Sequence, residues 1–182
     1  APRFEPETSK TIKEKRMLDE NSEMSIALAM LDGALAHCAA DSRPHIFREL
    51  YKTTGAGSVV RETCFYEFVL PRQCGKTFAI VNNVGPGDVV ICMNGGTANA
   101  LIAEIKSKGV EGVHVLTEDK FDHTVRDIAE IRTQGGEISH YYFFDEVSRA
   151  LPIAREIGRT YYGRAFGSED GGQLPGFFSL KT

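Results

Sequence analysis

From residue 64 onward, short β-prone stretches alternate with stretches of helical periodicity, and this alternation constrains the fold more than any other feature. The β-prone stretches are Cys64–Leu70, Asp88–Met93, Gly112–Thr117, Ile138–Asp145 and Gly176–Leu180. The helical stretches between them are Lys76–Asn83, Thr97–Lys108, Phe121–Gln134 and Val147 to about Arg159. This order predicts an α/β fold with a mostly parallel central sheet of about five strands, in which right-handed crossovers connect neighbouring strands.

The residues before the first strand predict a helical lead-in. Apolar residues fall largely on one helical face over Ser25–Ala40, and a second short helix is predicted at Ile46–Tyr51. The composition of Thr53–Ser58 predicts a loop, and residues 1–21 are mostly charged and polar, as in a solvated arm. We therefore expect an N-terminal arm and lead-in over residues 1–57 and a core domain over residues 58–182.

Composition limits the classes of function. A chain of 182 residues suits one well-packed domain, and a formal net charge of -4 gives no general attraction to nucleic acid or to anionic membranes. No apolar run approaches the roughly 20 residues that span a bilayer, and the N-terminus lacks the apolar region of a signal peptide. The four cysteines show no paired C-x-x-C spacing, which predicts reduced thiols rather than zinc ligands. We expect a cytoplasmic protein whose contacts with DNA, if it has any, are local.

A candidate phosphate-binding loop joins the first predicted strand to the first core helix. It comprises Pro71, Arg72, Gln73, Cys74, Gly75, Lys76 and Thr77. Backbone N–H groups at a helix N-terminus face a bound phosphate, and glycine lets the backbone approach it closely. Lys76 can reach the β and γ phosphates, and the Thr77 hydroxyl can ligate Mg²⁺. The pattern departs from G-x-x-x-x-G-K-[ST] because Leu70 holds the first glycine position, and an ordinary strand-to-helix turn remains the alternative.

A second candidate motif is an aromatic strand-like run that ends in two acids, Asp145 and Glu146. In P-loop enzymes an aspartate at the end of a core strand holds Mg²⁺, and a following glutamate can polarise the attacking water. The alternative is that either acid caps the helix that follows. Together with the G-K-T sequence, the acidic pair predicts a P-loop nucleoside triphosphatase with a three-layer sandwich fold.

These segments resemble the ATPase domain of the large terminase subunits, which pump DNA into the capsids of tailed phages. The loop Arg72–Thr77 is similar to that family's R-Q-x-G-K-[ST] variant, which also commonly lacks the first glycine, and Tyr141–Glu146 matches its strand ending in Asp-Glu. Asp88–Ala100 is similar to a strand and helix that these motors share with helicases. Ser179–Thr182 falls where the family has a coupling motif that contains Ser or Thr.

The resemblance covers roughly residues 60–182 and implies specific roles. Lys76 and Thr77 would bind ATP and Mg²⁺, Asp145 would support the metal, Glu146 would activate water, and Arg72 would sense the γ-phosphate. Double-stranded DNA would be the partner, with a homo-oligomeric ring or a portal or capsid protein alongside it in the host cytoplasm. The resemblance does not extend to the nuclease domain of large terminases, so nuclease activity is not expected.

Two other functions fit the same motifs. A P-loop kinase would transfer the γ-phosphate to a substrate hydroxyl, although the adjacent acids and the lack of an arginine-rich lid disfavour it. A non-hydrolysing nucleotide-binding module would assemble with a larger protein. An arginine finger is a further hypothesis for Arg149, Arg155, Arg159 or Arg164, against the simpler interpretation that they form a solvated helix face.

Overall fold

The computed structural model describes residues 26–39, 43–118, 120–168 and 174–182. The arm predicted at residues 1–21 therefore lies outside the described residues. The division of the chain at residue 57 stays a prediction.

The five predicted strands are present, with ends that differ from the predicted ones by at most two residues. They are β1 (Phe65–Val69), β2 (Val89–Cys92), β3 (His114–Thr117), β4 (His140–Phe144) and β5 (Gly176–Lys181). All four strand pairs are parallel, and the order across the sheet is β1-β5-β4-β2-β3. The fold is therefore α/β with an all-parallel five-stranded sheet, an architecture compatible with a Rossmann-like or a P-loop sandwich.

Helices lead into the sheet and connect its strands. They are α1 (residues 26–38), α2 (Arg43–Thr54), α3 (Ala56–Val59), α4 (Lys76–Asn83), α5 (Gly95–Ser107), α6 (Phe121–Gly135), α7 (Ala150–Ile157) and α8 (Gly163–Gly167). Two π-helical turns, Val60–Cys64 and Gly158–Tyr162, continue α3 and α7. The predicted helix Lys76–Asn83 has the predicted ends.

The strand order places helices on both faces of the sheet. From β1 the chain crosses to β2 and β3, and it then reverses direction to β4 and β5. Because crossovers between parallel strands are right-handed, this reversal puts α4 and α5 on one face and α6 and α7 on the other. The arrangement has three layers, with the sheet in the middle.

Two apolar cores flank the sheet, and successive residues of each strand face opposite cores. On the α4 side, Val90, Tyr142 and Phe178 pack with residues of α1, α4 and α5. On the α7 side, Tyr141 and Phe177 pack with residues of α2, α3, α6, α7 and α8. Both faces of the central strands are thus covered, as parallel sheets require.

The loop predicted at Thr53–Ser58 is wrong. Helix α2 continues to Thr54, and α3 begins at Ala56, so Gly55 alone interrupts the helical chain at a φ of 81°. The Gly55 N–H still donates to the Tyr51 carbonyl at 3.0 Å, and Ala56 and Val59 are buried in the α7-side core. Burial against the core outweighs the low helix propensity of glycine and serine, which was the basis of the prediction.

The helix predicted from Val147 begins only at Ala150, because the residues before it form a turn after β4. None of the four cysteines forms a disulfide, and Cys64, Cys74 and Cys92 are buried. Across the described ranges, none of the helices combines the length and apolar character needed to cross a membrane.

Candidate active site

The loop between β1 and α4 contains two residues in the left-handed conformation and ends at the N-terminus of a helix. Gln73 and Gly75 have φ values of 59° and 82°, and Gly75 is the N-cap of α4. Glycine adopts this left-handed conformation without steric cost, and it has no side chain that could cap the first N–H groups of the helix. Those N–H groups have no intrahelical acceptors, and the helix dipole favours negative charge beside them. The loop therefore presents donors suited to a phosphate group.

Lys76 connects the loop to the acidic motif. Its Nζ donates to Asp145 Oδ1 at 2.9 Å and to Thr182 Oγ1 at 2.7 Å, and its side chain is only 10% exposed. Its ammonium group thus joins the N-terminus of α4 to the residues that directly follow β4 and β5.

Asp145 and Glu146 form a turn with an uncommon backbone conformation. Their φ values are 58° and 57°, and each non-glycine residue in this region costs roughly 1–3 kcal/mol. Two hydrogen bonds hold the turn against β5. The Asp145 N–H donates to the Leu180 carbonyl at 3.0 Å, and the Thr182 N–H donates to Glu146 Oε1 at 2.6 Å. The Glu146 carboxylate is thereby fixed at the end of β5 while its residue remains exposed.

A cleft of about 440 Å³ opens at this edge of the sheet. The polar residues that line it include Gln73, Lys76, Thr77 and Asp145. A hydroxyl and a carboxylate are oxygen ligands of the kind that Mg²⁺ prefers. The described part of the chain contains no cluster of three or more His, Cys, Asp or Glu side chains that could hold a metal. A Mg²⁺ ion here would take its other ligands from phosphate oxygens and water, as is usual for this ion.

A larger cleft, of about 710 Å³, lies on the α7 side of the sheet. Its lining includes Lys52, Gly55, Gly57, Arg155 and Arg159. None of the described residues that line it is a carboxylate or belongs to the two motifs. We assign the candidate site to the smaller cleft, because it brings together donors for phosphate and oxygen ligands for a metal.

The structure brings together most of the residues predicted from the two motifs. Gln73, Gly75, Lys76, Thr77 and Asp145 line one cleft. Glu146 directly follows Asp145 but is not among the residues that line it, and its role in activating water stays a prediction.

The other residues of the predicted loop lie outside the cleft lining. Cys74 is buried in the core behind the loop, and Pro71 and Arg72 are exposed. The γ-phosphate contact of Arg72 stays a prediction.

Sequence reasoning missed Glu118, which contacts the turn after β4. Glu118 directly follows β3, and its carboxylate accepts hydrogen bonds from Ser148 and Arg149. The position of Glu118 in the sequence could have indicated its importance, because an acid just after a β-prone stretch lies at the carboxyl edge of a parallel sheet. Ligands bind at this edge in open α/β folds.

The candidate arginine fingers have different surroundings. Arg149 pairs with Glu118 at 3.5 Å, and Arg159 pairs with Glu156. Arg155 and Arg164 are exposed. The hypothesis that one of them acts on a neighbouring subunit stays open.

Cys92, at the end of β2, is fully buried. Burial raises the pKa of the Cys92 thiol to about 12, so it stays protonated at neutral pH. A buried, protonated thiol is a poor nucleophile, so we assign Cys92 a packing role at the end of β2.

Comparison of the chain with family models, curated proteins and solved structures finds no match. We therefore infer the function from the two motifs and from the geometry of the cleft.

Proposed function

We propose that the chain is a Mg²⁺-dependent P-loop ATPase, and that it acts as the ATPase domain of a DNA-packaging motor resembling the large terminases. The observation that carries the ATPase proposal is the contact of Lys76 with Asp145 and Thr182. Lys76, which follows a glycine at a helix N-terminus, and Asp145, at a strand end, are 69 residues apart in the chain, yet they meet in one cleft.

The phosphate loop would bind the triphosphate through its backbone donors and Lys76. On binding, the Lys76 ammonium would exchange its contacts with Asp145 and Thr182 for phosphate oxygens, which are stronger charge-assisted acceptors. The Asp145 carboxylate would then be available to support a metal ion in the cleft, together with the Thr77 hydroxyl. Mg²⁺, when bound, neutralises charge on the phosphate oxygens.

Glu146 would orient and deprotonate the attacking water. Its Oε1 is held by the Thr182 N–H, so the carboxylate is oriented before substrate arrives. Phosphoryl transfer depends almost entirely on such positioning and on electrostatic stabilisation. This arrangement favours hydrolysis over transfer to a second substrate.

The proposal also assigns the ATPase to a motor that packages DNA. The resemblance of Arg72–Thr77 and Tyr141–Glu146 to terminase motifs supports it. The proposed partner is double-stranded DNA, and the proposed assembly is a ring or a portal complex. The proposed location is the cytoplasm of a host cell.

The test of the proposal is ATP hydrolysis by the purified chain with Mg²⁺, beside the variant Glu146→Gln. Glutamine keeps an oxygen that can accept from the Thr182 N–H but cannot take a proton, so we expect turnover to fall by about 10²–10⁴-fold. ATP affinity should stay within threefold of the wild type. Glu111→Gln, at an exposed residue before β3, is the matched control and should hydrolyse ATP normally.

Two outcomes would overturn parts of the proposal. Full activity of Glu146→Gln would remove the assigned water-activating residue, and ATP binding without turnover in the wild type would favour the non-hydrolysing module. Stimulation by double-stranded DNA is the result expected for the motor. Turnover that double-stranded DNA leaves unchanged, measured with the full chain, would contradict the motor function and leave the ATPase.

A further inference from the structure

The carboxylate of Glu118 lies at the carboxyl edge of the sheet, and its side chain is only 6% exposed. It accepts hydrogen bonds from the Ser148 N–H at 3.1 Å, the Ser148 hydroxyl at 3.1 Å and the Arg149 N–H at 2.7 Å. The Arg149 Nε lies 3.5 Å from it. A buried carboxylate is thus surrounded by donors from a single segment of chain.

Glu118 is anchored independently of that segment. Its own N–H donates to the Cys92 carbonyl at 2.7 Å, which extends the β2–β3 pairing by one residue. The position of Glu118 on the sheet is therefore fixed by this backbone hydrogen bond. The segment that its carboxylate binds follows β4.

Ser148 and Arg149 join the turn of Asp145 and Glu146 to α7. Arg149 is the N-cap residue of α7, and its own side chain makes no capping hydrogen bond. Glu118, which follows β3, accepts instead from the N–H groups of this N-cap residue and of Ser148 before it, at the end of the helix where the dipole favours a negative charge.

The turn is therefore held on both sides. Hydrogen bonds to Leu180 and Thr182 fix it against β5, and Glu118 fixes the residues that follow it. A left-handed conformation at a non-glycine residue is strained, and it persists only where several surrounding contacts hold it in place. Loss of the Glu118 contacts should let Glu146 relax toward an ordinary backbone conformation, while Leu180 and Lys76 still hold Asp145.

We propose that Glu118 is a positioning residue for ATP hydrolysis, which acts by holding the turn that carries Glu146. This inference rests on the proposed ATPase function and adds a role outside the two motifs. Glu118 is not among the residues that line the cleft, and its carboxylate binds the segment after Glu146, so we expect its loss to affect the chemical step more than ATP binding.

The test is the kinetics of Glu118→Gln beside Glu111→Gln. Glutamine has nearly the same shape, but one of its two terminal atoms is a donor that would face the N–H groups of Ser148 or Arg149. We expect kcat to fall at least tenfold while the KM for ATP and the affinity for ATP change less than threefold. A role in general stability would instead lower the melting temperature and the fraction of active protein. Because a smaller active fraction also lowers the apparent kcat at unchanged KM, kcat is calculated per ATP-binding site, and on that basis a purely structural role would leave it unchanged.

The double variant Glu118→Gln with Glu146→Gln gives a sharper result. If Glu118 acts only through Glu146, its substitution should change the residual turnover of Glu146→Gln by less than about twofold. Independent, multiplicative losses would overturn the inference.

Hydrogen exchange gives a readout that needs no activity. The amides of Ser148 and Arg149 should exchange at least tenfold faster in Glu118→Gln, while the amides of β4 should keep their protection. Unchanged exchange, or normal kcat in Glu118→Gln, would contradict the inference. If the wild type itself has no turnover, the proposed function and the catalytic role both fail, and the exchange rates then decide whether Glu118 braces the turn.

Discussion

At the scale of single residues, Asp145 combines a charge with a backbone conformation that few residues adopt. Its φ is 58°, its carboxylate accepts from Lys76, and its N–H donates to Leu180. Asparagine and aspartate are the non-glycine residues that enter the left-handed region most readily. A substitution can therefore remove the negative charge of residue 145 while it keeps the left-handed backbone conformation.

We predict that Asp145→Asn folds normally but loses Mg²⁺-dependent turnover by at least about 100-fold, because it keeps the tolerated backbone and removes the negative charge. Asp145→Val should in addition lower the melting temperature, because a β-branched residue is strained at this φ. Thermal unfolding and ATPase assays check the two effects, with Asp32→Asn on the exposed surface of α1 as control. Equal melting temperatures for the two variants would show that the turn imposes no constraint.

At the scale of elements, the helical segment before β1 packs closely against the end of α7. Gly158 faces Val60 so closely that a Cβ added at Gly158 would overlap the Val60 Cγ2 atom. Both residues are buried, and Val60 belongs to the α7-side core. This contact fixes the π-helical turn that leads into β1, and so supports the strand that ends at the phosphate loop.

We predict that Gly158→Ala destabilises the fold by about 1–3 kcal/mol, as overpacking does in well-packed cores. Gly33→Ala is the matched control: Gly33 lies within α1, nothing lies within 4 Å of an added Cβ, and we expect a gain of roughly 0.5–1 kcal/mol. Chemical denaturation measures both. Adding Val60→Ala to Gly158→Ala should recover part of the loss, and no recovery would mean that the overlap is not its cause.

At the scale of the whole molecule, the strand order brings the two motifs together. Because β5 is inserted between β1 and β4, the last residues of the described chain lie between the phosphate loop and the acidic turn. Thr182 uses this position to bind Lys76 through its hydroxyl and Glu146 through its N–H. A site built from three neighbouring strand ends needs this order of the strands.

Much of this architecture can be predicted from the sequence, because its signals are local. Alternating β-prone and helical stretches indicate a parallel sheet, and Gly75 followed by Lys76 marks the start of α4. Acids directly after β4 are expected at the carboxyl edge.

Other features depend on contacts between distant parts of the chain and could not be predicted. The hydrogen bond between Glu118 and Arg149 joins residues 31 positions apart. The sequence indicates that Glu118 lies at the carboxyl edge of the sheet, but it does not reveal the partner of its carboxylate. The helix around Gly55 depends on burial against α7, which composition alone does not reveal.

The most direct test of the proposed function is Mg²⁺-ATP binding measured by calorimetry for the wild type and Lys76→Ala. The account predicts wild-type binding in the micromolar to millimolar range that is usual for enzyme substrates. Lys76→Ala should weaken binding at least tenfold, because it removes the charge-assisted bonds to phosphate, while Lys106→Ala on the exposed surface of α5 should bind as the wild type does. A wild type that binds no nucleotide, or a Lys76→Ala variant that binds as tightly as the wild type, would contradict the assignment of this cleft as a phosphate-binding site.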